Sequence, residues 1–100
     1  MHSSQIINIL RSNKNYLSER FGITHLSLFG SFATHTNHEN SDIDLLFENN
    51  KDLGMTLGRL NNLERYIQEL LNFKKIELVN KKNIHPIVFD NAKKSLIEIF

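Results

Sequence analysis

The sequence predicts an α/β fold: a small mixed sheet of about three to four strands, with helices covering one face. Three observations carry this expectation. Apolar residues recur at helical spacing in two long segments, short alternating segments lie between and after them, and the resulting order is helix, strand, turn, strand, helix, strand, helix. One hundred residues, 40% of them hydrophobic, predict a single domain over residues 1–100, large enough for one modest core.

Each element has its own signal. After Ser3 or Ser4, either of which can cap a helix, Ile6, Ile7, Leu10, Leu17 and Phe21 step at helical intervals and Gly22 stands where a helix would end, so a first helix is expected over residues 4–21. "THLSLFG" alternates, with Leu26 and Leu28 on one side and Ser27 and Phe29 on the other, as a strand ending at Gly30 does. A turn or short helix and the polar loop "HTNHENS" follow. "DIDLLFE" then sets Asp42, Asp44 and Leu46 on one face of a second strand and Ile43, Leu45 and Phe47 on the other. Leu53, Leu57, Leu60, Leu63, Ile67 and Leu70 predict a second long helix over residues 53–73, although Gly54 and Gly58 weaken its first turn. "KKIELVN" reads as a third strand with Ile76 and Leu78 inward and Glu77 opposite, and "AKKSLIEIF" as a short terminal helix.

Composition narrows the function. Twelve Lys and Arg against eleven Asp and Glu leave a formal charge of +1, so no general basic excess argues for nucleic acid as a partner. Cysteine is absent, which excludes disulfides, thiol nucleophiles and Cys-containing zinc sites. The histidines at 25, 35, 38 and 85 match no zinc-ligand spacing. The lysine pairs at 74–75, 81–82 and 93–94 read as solvated faces. The longest apolar run near the start, "IINIL", is five residues interrupted by Asn8, and a soluble, cytoplasmic protein without a membrane partner is expected.

Strand parity then gathers chemistry. If the apolar sets of the second and third strands both face the helices, Asp42, Asp44 and Glu77 all project from the other face. Like charges so close repel unless a cation holds them, and hard oxygen ligands select magnesium or manganese. Gly30 lets the backbone turn tightly after a strand and approach a ligand closely, and Ser31 offers a hydroxyl beside helix N–H groups that attract phosphate. A phosphate cradle beside carboxylate-bound metal is what nucleotidyl transfer requires.

Gly30-Ser31, ten residues, Asp42-Ile43-Asp44 resembles the defining motif of the nucleotidyltransferase superfamily that includes DNA polymerase beta. A chance match of four such positions in a chain this long is about one in a thousand at ordinary residue frequencies. "SDIDLLFE", a helix and then "KKIELVN" extend the likeness to the minimal nucleotidyltransferases (MNT) over residues 3–100. The resemblance implies the minimal nucleotidyltransferase fold and an enzyme using a nucleoside triphosphate, with Asp42 and Asp44 binding magnesium and Glu77 activating the acceptor hydroxyl. It further implies an antitoxin paired with an all-helical HEPT toxin in a hetero-oligomer, transferring AMP from ATP to a toxin tyrosine. The chain's small size fits that role, since it leaves the acceptor surface to a partner. Two positions depart from the family: "GSFATH" has Thr34 and His35 where relatives commonly have Arg-Gly, and Glu77 stands where MNT proteins usually have aspartate. A degenerate module neutralising a helical partner by binding alone, and a metal-dependent phosphohydrolase, are the alternative readings.

Overall fold

Helix-period leucines and isoleucines open the chain. Ile6 and Leu10, one turn apart, are fully buried in α1 (Ser3–Ser12), and the His2 backbone N–H donates to Gln5 Oε1 at 2.8 Å to close its first turn. The single helix expected over residues 4–21 is instead two. Asn13 leaves helical geometry (φ −104°, ψ 15°) before α2 (Lys14–Phe21). Its side-chain amide donates to the Ile9 carbonyl at 2.8 Å and its Oδ1 accepts from the Tyr66 hydroxyl at 3.1 Å. Local asparagine bonding of this kind competes with the helix ladder. Gly22 ends α2 in the left-handed region (φ 70°), as its position predicts.

The structure, a computed structural model, describes residues 1–100. After α2 come β1 (Ile23–Phe29), the one-turn helix α3 (Ser31–Thr34), β2 (Ile43–Asn49), α4 (Leu57–Leu71) and β3 (Ile76–Asn80). A 3-10 turn (Lys81–Asn83), α5 (Pro86–Ala92) and β4 (Ile97–Glu98) complete the chain. The sheet is four-stranded and mixed, in the order β3-β2-β1-β4, with β2 and β3 parallel and β1 antiparallel to both its neighbours. No helix is long and apolar enough to cross a membrane.

Register places the core. Leu26 pairs with Phe47 and Leu28 with Leu45 across β1 and β2, and Ile43 pairs with Ile76 across β2 and β3. All six are buried, packed in one cluster with Ile6 and Leu10 of α1, Leu17 and Phe21 of α2, and Leu63, Ile67 and Leu71 of α4. Each such aliphatic side chain contributes about 1.5–3 kcal/mol relative to exposure.

Two expectations fail at element ends. The long helix expected from residue 53 starts at Leu57, because Gly54 adopts φ 69° and the Thr56 hydroxyl caps the helix by accepting from the Arg59 N–H at 3.1 Å. Leu53 and Leu57, counted on the apolar stripe, are 45% and 75% exposed. The expected terminal helix over "AKKSLIEIF" is replaced by β4. Ile97 and Ile99 alternate with exposed Glu98, a strand pattern, and the free edge of β1 takes it: Ile99 N–H donates to the Leu26 carbonyl at 2.8 Å, and Leu26 N–H donates to the Phe100 carbonyl at 3.1 Å. The helix of this region lies earlier, in α5, where Pro86 takes the first turn and His85 Nδ1 accepts from the Ile87 N–H at 3.2 Å. The second sheet face is also partly roofed, since Phe89 and Leu96 close a cavity of about 80 Å³ over Leu46 and Ser27.

Candidate active site

Three distant stretches of chain meet where β1 ends. Phe29, the last residue of β1, is the cross-strand partner of Asp44, and Asp44 is the partner of Glu77 in the parallel pair. Asp44 and Glu77 therefore stand side by side on the face opposite the buried Ile43, Leu45 and Ile76, as strand parity predicts. Asp42 lies one residue before β2 begins, rather than within the strand, and is exposed. Its approach is fixed by Ser41, which is buried: Ser41 Oγ accepts from the His38 N–H at 2.8 Å, and Ser41 N–H donates to the His38 carbonyl at 3.0 Å. The spacing of the motif does not single out Ser41; its signal in the sequence is a small hydroxyl residue at the end of a polar loop, directly before an aspartate.

Gly30 has a structural reason. Its backbone is left-handed in φ (74°), and a Cβ placed there would overlap the Asp44 carboxylate, with Cγ at 3.0 Å. Only glycine lets the turn close over that side chain. The turn leads at once into α3, with the Ala33 and Thr34 N–H groups donating to the Gly30 carbonyl at 3.1 and 3.2 Å, and Ser31 as its first residue. Thr34 is folded back on this turn: its hydroxyl lies 3.3 Å from the Gly30 and Ser31 carbonyls and 2.8 Å from Thr36 Oγ1. It supplies no cation. His35 then adopts φ 60°, a conformation that costs a residue with a Cβ and suits glycine.

The electrostatics are those of an unneutralised acidic pair. Burial, a hydrogen bond to Glu77, and repulsion from Glu77 and Asp42 push the Asp44 carboxyl up from 3.8 to about 7. The ion pairs of the molecule are His25 and Lys81 with Glu48, and Lys93 with Asp90, so none involves Asp42, Asp44 or Glu77. The structure brings Asp44 and Glu77 together, with Asp42 beside them at lower burial, and the three do not close into a ready-made cage for an ion. As a donor set they fit magnesium, which is commonly held by one or two carboxylates together with substrate phosphate and water. The largest cavity, about 800 Å³, lies elsewhere and none of the three lines it; the carboxylate face is open surface.

A Gly-Ser turn between the antiparallel β1 and β2, closed over one member of a carboxylate pair that spans the parallel β2 and β3, is the arrangement of a nucleotidyltransferase. Comparison with known proteins agrees. Residues 5–100 match the profile of the family described as "Polymerase beta, Nucleotidyltransferase". A Methanocaldococcus jannaschii protein named "Putative protein adenylyltransferase" is 36% identical over 97 residues, 96% of either chain. The Thermococcus cleftensis protein named "Protein adenylyltransferase MntA" is 32% identical over 80 residues, 80% of this chain and 78% of its own. Among solved structures, "Structure of putative minimal nucleotidyltransferase" superposes with a TM-score of 0.77 at 25% identity, covering 97% of this chain and 95% of the other. A chain from tri-AMPylated Shewanella oneidensis HEPN toxin in complex with MNT antitoxin shares the fold, with a TM-score of 0.65 at 12% identity over 94% of this chain and 71% of that one. The protein belongs to the polymerase beta-type nucleotidyltransferase family, among its minimal members.

Proposed function

We propose that this nucleotidyltransferase is a magnesium-dependent protein adenylyltransferase, the antitoxin of a toxin–antitoxin pair, which transfers AMP from ATP to a tyrosine hydroxyl of a HEPT-type toxin partner. The observation that carries the reading is the Asp44–Glu77 pair, adjacent in register beside Asp42 on an open face where no protein cation offsets them. The names of the relatives support the choice of a protein as acceptor, and the complex of an MNT antitoxin with a modified HEPN toxin supports the choice of a toxin.

In this reading the acceptor oxygen attacks the α-phosphorus, the bond from that phosphorus to the bridging oxygen breaks, and pyrophosphate leaves. Asp42 and Asp44 would hold magnesium, which when bound supplies charge neutralisation and alignment of the triphosphate. Glu77 takes the hydroxyl proton as general base. Gly30 allows the phosphate-bearing turn its close approach, and Ser31 opens that turn with a hydroxyl.

A second reading, neutralisation of a helical partner by binding alone, is favoured by Thr34, whose hydroxyl is committed to backbone carbonyls and Thr36. One experiment separates the two. The chain is incubated with labelled ATP, magnesium and the product of the neighbouring gene, and label on the partner is read by mass. Wild type is expected to transfer AMP, and Glu77→Gln to lower transfer by about a hundredfold or more with partner binding unchanged. If wild type, Glu77→Gln and Glu77→Asp all transfer nothing and all neutralise the partner equally, the enzyme reading fails.

A further inference from the structure

The cavity of about 800 Å³ sits at the far end of the parallel strands from the carboxylates. β2 and β3 run in the same direction and finish at the same end of the sheet, Asn80 opposite Phe47 and Asn49 two residues further on, and the segments that follow, residues 50–56 and 81–83, wall a cleft. Asp44 is five residues upstream of Asn49, about 17 Å along an extended strand. Space outside the carboxyl ends of parallel strands is where open α/β sheets commonly take ligands, and the mechanism above makes no use of it.

The lining has a definite chemistry. Lys51, Lys81 and Lys82 face a single acid, Glu48, leaving an excess of two positive charges, and Asn49, Asn80 and Asn83 add neutral amides; Met55 is the one apolar residue. Lys81 is 3.6 Å from Glu48, whereas Lys51 and Lys82 form no ion pair. The walls are braced by other groups. The Arg59 guanidinium donates to the Leu53 and Gly54 carbonyls at 2.6 and 3.1 Å, Asn50 Oδ1 accepts from the Asp52 N–H at 2.9 Å, and Asn80 Oδ1 accepts from the Lys82 N–H at 3.1 Å. The loop backbones are thus held in place without using the ammonium groups of Lys51 and Lys82, which lowers the ordering cost of binding.

We propose that this cleft is a second binding site, independent of the carboxylates and of magnesium, for a dianionic phosphate group carried by a small molecule such as a nucleoside monophosphate or a sugar phosphate. Two net positive charges match the dianion, lysines bind phosphate as point charges, and the amides can meet hydroxyls of the attached body. A volume of about 800 Å³ admits a ligand of that size.

The test is a backbone-amide NMR titration of the whole chain in chelator, with AMP, ribose 5-phosphate, inorganic phosphate and adenosine as separate probes. Expected are saturable shifts at residues 49–55 and 80–83 with the phosphate-bearing probes and none with adenosine. The double variant Lys51→Ala with Lys82→Ala should weaken them by about tenfold or more at unchanged melting temperature. Tighter binding of AMP or ribose 5-phosphate than of inorganic phosphate supports a role for the amides, and equal binding supports a site for the phosphate group alone. The proposal is overturned if no probe gives saturable shifts, if shifts are confined to residues 30–44, or if the double variant binds as wild type does. It is also overturned if that variant loses only the capture of the partner protein, which would make the cleft a docking surface.

Discussion

Asp44→Asn should stabilise the metal-free protein at neutral and alkaline pH and leave it unchanged in acid. The folded state holds the Asp44 proton up to about pH 7, the unfolded chain only up to about 3.8. Between these values the native state binds more protons, so stability falls as pH rises through that window and the loss is complete above 7. Unscreened, the difference corresponds to about 4 kcal/mol. Solvent reaches this side chain, and screening reduces the expected effect to about 1–2 kcal/mol. Asparagine keeps a group that donates to Glu77 and removes the charge that Glu77 and Asp42 oppose. Urea or thermal unfolding in chelator at about pH 3, 6, 7 and 8.5 reads the difference directly. For a chain of this length 1 kcal/mol is about 4–8 °C in melting temperature, so the variant should lead by about 5–10 °C at pH 8.5 and by nothing at about pH 3, below the unfolded value. Magnesium should narrow the gap at pH 8.5 by stabilising wild type alone. Parallel pH profiles for the two proteins, or a variant less stable than wild type at pH 8.5, would show that the carboxylate is neutralised by its surroundings and that the argument for a cation is wrong.

Gly30→Ala should cost about 2–4 kcal/mol in urea unfolding, from left-handed backbone strain plus overlap with the Asp44 carboxylate, and about 1–2 kcal/mol in an Asp44→Ala background, where only the backbone contribution remains. His35→Gly, at φ 60°, should raise stability by about 0.5–1 kcal/mol in the same assay. Tyr66→Phe removes the donor to Asn13 Oδ1 and should cost about 1 kcal/mol, with no further cost once Asn13 is alanine.

The parts of the fold that were legible in the sequence are those where one period dominates. The second and third strands declared themselves because Ile43, Leu45 and Phe47 alternate with polar or facing residues, and parity alone put Asp44 and Glu77 on one face, as the register shows. What escaped was decided by side chains bonding to backbone or by a partner distant in sequence. Asn13 splits a helix whose apolar spacing continues across it, because spacing does not register a tie to Tyr66, 53 residues away. The helical stripe through Leu53 and Leu57 is arithmetic without burial, since Gly54 and the Thr56 cap delay the helix. The terminal "LIEIF" has both a helical and a strand reading, and the free edge of β1, not local propensity, chooses the strand. Within the site, the glycine was legible as a tight turn, whereas its contact with the Asp44 carboxylate needed the fold.

That contact shows how the core protects the chemistry. Asp44 lies between Ile43 and Leu45, both fully buried, and Glu77 follows Ile76, also buried, so the apolar residues that hold the sheet to the helices alternate with the residues that form the site. A slip of β2 by one residue would turn Leu45 outward and drive Asp44 into the core, at the combined cost of exposing about 1.5–3 kcal/mol of apolar side chain and burying a charge. Alternation therefore pins register far more strongly than the carboxylates oppose it. The repulsion among Asp42, Asp44 and Glu77 has no route of relief through the backbone; it can be met only by proton uptake, as at Asp44, or by a cation from solution. Only positive charge answers a repulsion the fold has made unavoidable, so a divalent cation would relieve this site, whereas triphosphate alone would add to the repulsion.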